Sequence, residues 1–389
     1  MNNAKIYLEI SADIVKHAGF AFLIAGGISG IPILSGCSSS TKPNPEPEPE
    51  NALSDNTVVL NRADISYYSP ETGEITFERE TVLRPGDIVA SDTIHIKAPR
   101  GFLRKVAEVD GIIVSTEPAT IEEAVKNCSV HKSVNLKPSN AMFTPAHDVK
   151  ARFYSPGADN FDFAIDFEKY FYGGPEVDFV EASGHINFNL GYAVDLYIKN
   201  NNIENFKFLI VMDDDVKIRL QSTIETAIDK EFKIGEFILG CFVMYVPGTS
   251  FPIVMKPNLS VYIGADGGAS RHFDATAART AIFEAGLEYD SGWKTVKNYN
   301  NEFGFIYGFS DDIDLNCRVQ AITNCFFYGI SGLSAAVDTY LDALITPVDG
   351  EIRGGLEVSA DINPEILSGS VPGYSNQIFR LEELLWEKE

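Results

Sequence analysis

Between Ile186 and Ile198 every second residue is apolar: Ile186, Phe188, Leu190, Tyr192, Val194, Leu196 and Ile198. Asn187, Asn189, Gly191, Ala193, Asp195 and Tyr197 occupy the alternate places, with His185 just ahead. Successive side chains of a strand point to opposite faces, so this run predicts one long strand with an unbroken apolar face. Related writing recurs from about Phe161 to Ile362. It includes Phe206 to Met212, Val216 to Ile228, Phe237 to Val246, Ala281 to Tyr289, Leu333 to Ile345 and Ile352 to Ile362. Turns are expected at Asn200-Asn201-Asn202, Pro247-Gly248, Asp266-Gly267-Gly268 and Asp290-Ser291-Gly292. Connections this short imply an antiparallel meander, because parallel neighbours need long crossovers. Long strands must twist, which leaves an elongated two-sheet sandwich, a closed soluble barrel or a membrane barrel. Acidic residues interrupt several apolar faces, which favours the soluble forms.

The 389 residues carry a formal charge of −24. Residues 1–36 do not contribute to it, since Lys5 and Lys16 cancel Glu9 and Asp13. So acidic a chain is unsuited to nucleic acid, whose phosphates need a basic surface. Attachment to anionic lipid by charge is disfavoured for the same reason.

Ala18 to Gly36 is free of charge, is most apolar at Phe20-Ala21-Phe22-Leu23-Ile24, and ends Leu34-Ser35-Gly36-Cys37. An apolar run closed by small residues reads as a cleavable export signal, and its glycines and Pro32 make it a poor membrane helix. Leu34-Ser35-Gly36-Cys37 resembles the lipobox of bacterial lipoproteins. That resemblance implies acylation of Cys37, cleavage before it, and a lipid anchor in the cell envelope. Ser38 after the cysteine resembles the outer-membrane default of Gram-negative lipoproteins. Ser38 to Asn56 is polar, with Pro and Glu alternating from Pro45 to Glu50, which cannot build a core and favours an extended spacer of roughly 50 Å, at about 3 Å per residue.

From 57 to 150 the sequence predicts a small β-barrel or sandwich domain. A hairpin is expected from Ile65–Tyr68 to Glu74–Phe77, a turn at Asp110-Gly111, and a capped helical turn from Thr120. Three strings here, Arg84-Pro85-Gly86-Asp87-Ile88-Val89, Gly101-Phe102-Leu103-Arg104-Lys105-Val106 and Thr116-Glu117-Pro118-Ala119-Thr120-Ile121-Glu122-Glu123-Ala124, resemble a module of uncharacterised secreted bacterial β proteins. That resemblance implies an extracytoplasmic setting and no activity. The long-strand domain is assigned to 151–370. A loop and a short amphipathic C-terminal helix carrying Phe379, Leu381, Leu384, Leu385 and Trp386 are assigned to 371–389.

No catalytic constellation, zinc-ligand spacing or phosphate loop emerges, and whether the chain is an enzyme stays open. Asp213-Asp214-Asp215 and Asp311, Asp312 and Asp314 read first as polar turns and second as calcium ligands, since calcium takes loop carboxylates. Ser334, in Gly332-Leu333-Ser334, sits in an alternating strand and not in the strand–turn–helix of a nucleophile elbow. Beyond Cys37 there are Cys128, Cys241, Cys317 and Cys325. Cys317 and Cys325 are candidates for a disulfide only if the chain folds back between them, because one straight strand holds them about 26 Å apart. The expected function is binding or structural at the cell envelope, with a glycan, protein or lipid ligand. The alternatives are a carrier enclosing an apolar ligand such as lipid and a hydrolase using paired carboxylates.

Overall fold

A computed structural model describes residues 50–61, 64–92, 100–154, 162–269, 273–308, 313–329, 332–345, 349–363, 365, 367 and 371–387. Cys37, the export signal, most of the spacer, and Asp311 and Asp312 lie outside the described residues. The first strands are β1 (Ala52–Leu53), β2 (Thr57–Val59), β3 (Ile65–Tyr68), β4 (Ile75–Phe77), β5 (Ile88–Ser91), β6 (Phe102–Asp110) and β7 (Ile113–Pro118). One helical turn, α1 (Ile121–Ala124), leads to β8 (Val125–Asn135), β9 (Ala141–Pro145), β10 (Lys150–Tyr154) and β11 (Phe163–Tyr172). The long strands begin with β12 (Val180–Lys199), β13 (Asn202–Ser222) and β14 (Thr226–Leu239). After the short β15 (Phe242–Tyr245) come β16 (Pro252–Ala269), β17 (Phe273–Tyr289) and β18 (Trp293–Gly308). The last are β19 (Ile313–Phe327), β20 (Leu333–Ile345), β21 (Gly350–Ile362) and β22 (Tyr374–Glu387). The chain is all-β, as its alternation predicts.

Two large antiparallel sheets carry most of the chain. One runs β1-β8-β12-β13-β17-β18 and the other β22-β21-β20-β19-β16-β14-β9. β12 is long enough to hold two neighbours end to end on one edge: β11 pairs with Val180 to Phe188, and β8 with Gly191 to Ile198. The apolar parity of β12, from Ile186 to Ile198, is buried. It shares one core with Leu259, Val261, Val319 and Val337 of the opposite sheet. Lys207, Asp213, Asp215, Lys217 and Arg219 stand on the outer face of β13. This is an elongated sandwich, with its apolar faces turned inward where a membrane barrel would turn them toward lipid. Among the described residues no helix is long and apolar enough to cross a membrane.

The sandwich closes differently along its two sides. Where the chain steps from β9 to β10 it changes sheets, and Phe143, Phe153, Phe163, Phe188 and Phe237 pack together there. On the far side β18 and β22 are the last strands of their sheets and pair only inward, to β17 and β21.

The smaller sheet runs β2-β5-β6-β7-β4-β3, with β2 and β5 parallel. Tyr68 of β3 and Phe102 of β6 bring their rings within 4.6 Å although two strands lie between them, so this sheet curls tightly around its own core. β5 is buried on both faces: Val89 enters the small core, Ile88 and Ala90 the large one. The capping box predicted at Thr120 is present, with Glu123 N donating to Thr120 Oγ1 and Thr120 N donating to Glu123 Oε2.

Four expectations need correction. The spacer ends before 56, because Ala52 and Leu53 pair with Asn127 and Val125 of β8. The sheets part between β7 and β8, not at 150, since β8 pairs with β12. Asp213-Asp214-Asp215 is no turn, because β13 runs straight through it, and Asp266-Gly267-Gly268 lies within β16. The C-terminal segment is the strand β22, not a helix. Its register slips twice against β21, leaving Ile378 and Leu385 as extra residues, and these two bulges break the alternation into an apparent helical spacing.

Candidate functional site

Strand parity sends Asp213 and Asp215 outward and Asp214 inward, so the three carboxylates cannot gather on one cation. Asp314, in β19, is exposed and lies opposite Gly268. Among the described residues no cluster of His, Cys, Asp and Glu has the arrangement of a metal site.

Asp214 instead meets a residue that sequence reading missed. Arg279 is on the inward parity of β17, between Ala277 and Ala281, and lies diagonal to Asp214, which is directly opposite Ala281. Arg279 Nη2 donates to Asp214 Oδ2 at 2.5 Å, with side chains 2% and 0% exposed. Burial pushes the Asp214 carboxyl up to about 6, against the opposing pull of Arg279. The visible signal was one acid and one base on the apolar parities of two strands.

The pair also settles a register that hydrophobicity leaves open. A slip of one residue would turn the apolar face of β13 outward, but a slip of two preserves parity. The buried charge pair, together with the outer-face pair of Arg219 and Asp274, favours the observed register over that even slip, a known use of buried polar groups.

A second feature opens to solvent. Along the β18–β22 side the two strands advance together: Trp293 lies against Tyr374 with centroids 6.1 Å apart, and Tyr299 stacks on Phe379 at 5.2 Å. Trp293 Nε1 donates to the carbonyl of Pro372 at 2.7 Å. Beside Tyr299 lies an open groove of about 350 Å³, lined by Tyr299, Asn300, Asn301, Phe303, Leu381, Glu382 and Glu383. That volume is at the lower end of small-ligand sites. Tyr299 is 43% exposed, so one ring face is available while the other packs on Phe379. Asn301 Oδ1 is buried and unpaired. The Glu382 carboxylate is already committed to Arg353, Arg380 and Tyr340, and the hydrogen bond from Arg380 holds it below the usual carboxylate range. A carboxylate so occupied is a poor general base.

The remaining candidates fall outside these features. Cys317 and Cys325 lie in the one continuous strand β19, so no fold-back brings them together, and both are free thiols, as is Cys128. His185 Nδ1 is 2.5 Å from Asp166 Oδ1 and 3.4 Å from Tyr154 Oη, a cross-strand cluster apart from both features. Ser334 lies in β20, as the alternation predicts. Between the two sheets, the internal space beside Asp214 measures about 20 Å³, room for water and not for an acyl chain. Comparisons with family models, curated proteins and solved structures find no match to this chain.

Proposed function

We propose that the chain is a lipid-anchored protein of the cell envelope that binds a polyhydroxylated ligand, of the glycan class, in the groove between β18 and β22. The groove is the observation that carries this reading. The exposed Tyr299 ring, Asn301 on the same parity of β18, and the exposed Glu383 line one open groove. An aromatic face suits the C–H face of a sugar ring, while amides and carboxylates match hydroxyl donors and acceptors. A net charge of −24 disfavours an anionic ligand. The anchor rests on Leu34-Ser35-Gly36-Cys37 after the apolar run, and on the Pro-Glu spacer that would lift the sandwich off the membrane.

The two halves are tested separately. Fatty-acid probe labelling of cells expressing wild type or Cys37→Ala should show label only in the former, and label independent of Cys37 would refute the anchor. Calorimetric titration against a panel of neutral oligosaccharides should find saturable binding that Tyr299→Ala weakens about tenfold, a loss near 1.4 kcal/mol. Binding unaffected by Tyr299→Ala, or absent from the whole panel, would sink the glycan reading.

A further inference from the structure

The ion pair at the centre of the sandwich has three polar atoms that the protein does not satisfy. Asp214 Oδ1, Arg279 Nε and Arg279 Nη1 are all buried with no protein partner. Each such orphan costs about 1–3 kcal/mol, and more when charged. Beside them is the space of about 20 Å³. Asp214 and Arg279 form one wall; Thr339 supplies a polar residue from the opposite sheet, and Val319, Ala321 and Val337 supply hydrocarbon.

We infer that this cavity is a built site for ordered water bridging Asp214 Oδ1 to the free donors of Arg279. Size and chemistry agree on that occupant. A water needs about 10–15 Å³ of such space and typically makes about three hydrogen bonds to buried polar groups. It donates to the carboxylate and accepts from the guanidinium, as the two orphaned groups require. A halide would lie against the Asp214 carboxylate in a medium of low dielectric, and a cation would meet Arg279. An apolar molecule would leave all three orphans unpaired. With water in place Asp214 Oδ1 and one of the free Arg279 donors gain a partner, which moves the pair toward the satisfied state in which buried networks hold one packing.

The test is a crystal structure of the wild-type protein at a resolution that shows ordered water, with a parallel bromide soak. The expected result is a light-atom peak about 2.7–3.2 Å from Asp214 Oδ1 and from Arg279 Nε or Nη1. The peak should vanish in the Asp214→Leu/Arg279→Met double variant, and oxygen-17 relaxation dispersion should count correspondingly less long-lived water. An empty cavity, or an anomalous bromide peak at that position, overturns the inference. Should the double variant fail to fold, the wild-type density and the soak decide alone.

Discussion

Replacing Arg279 by Met removes one half of a pair whose other half is wholly enclosed. The Asp214 side chain is 0% exposed and loses its 2.5 Å hydrogen bond. Truncating one partner of a buried pair costs about 3–5 kcal/mol, because the remaining charge is left uncompensated. For a chain of this size that is a fall in melting temperature on the order of 4–7 °C. The Asp214→Leu/Arg279→Met double variant removes both charges, and such replacements run from neutral to about 4 kcal/mol stabilising. The double variant should therefore be more stable than either single one. The cost of Arg279→Met should also shrink as pH falls, since Asp214 then takes up a proton and is no longer an unpaired charge. The assay is urea denaturation of wild type, both single variants and the double variant at pH 7 and pH 5. A single-variant cost under about 1 kcal/mol at pH 7, or a double variant as damaged as the sum of the singles, would refute the reasoning.

Three further outcomes are expected. In the wild type, Asp214 titrates near 6 when folded against about 4 unfolded, so the folded state binds the proton more tightly. Its contribution to stability is full below about pH 4 and is lost as pH rises through 6, by roughly 3 kcal/mol in all. Burial pushes Asp213, Asp338 and Asp342 the same way, while hydrogen bonds from lysine and arginine pull Asp148, Glu351 and Glu382 the other way. Asp214→Asn should flatten the fall in unfolding free energy between pH 5 and 7, and an unchanged slope would refute the assignment. The Tyr340 ring lies across Gly355 on the neighbouring strand and leaves no room for a Cβ, so Gly355→Val should cost about 1–3 kcal/mol by thermal melting. A neutral result would show that Tyr340 swings aside freely. Burial pushes the thiols of Cys128 and Cys317 up to about 12 and that of Cys325 higher still. An aromatic disulfide reagent at pH 8 should therefore leave all three unmodified until urea unfolds the protein; fast native modification of any one would contradict the packing.

Parity made much of this fold legible. Ile186 to Ile198 announced β12, and the Asn200-Asn201 turn was readable because asparagine tolerates the left-handed backbone it adopts there, with φ of 52° and 61°. Legibility failed where a local rule was broken by a distant partner. Three consecutive aspartates look like a turn until Arg279, 65 positions away, neutralises the inward one. The bulges at Ile378 and Leu385 depend on β21, so a window confined to β22 saw helical spacing. The groove was hidden for a related reason: Tyr299 and Glu383 belong to different sheets, and only the closure of the sandwich brings them together.

The order in which the two large sheets are built has a kinetic consequence. A simple meander covers each edge with the very next strand, but this chain does not. After β13 it leaves for the opposite sheet, lays down β14, β15 and β16, and only then returns with β17 to the waiting edge of β13. It then leaves again, so β19 must find β16 across the intervening β17 and β18. The first sheet is not complete until β18 ends at Gly308 and the second not until β22, and until then long unpaired edges beside apolar faces are open to wrong partners. Non-local pairing of this kind folds slowly and is exposed to aggregation on the way. For a chain that emerges from its N-terminus, the β12–β13 hairpin is finished early and must then be kept from self-association until Phe273 to Tyr289 arrives.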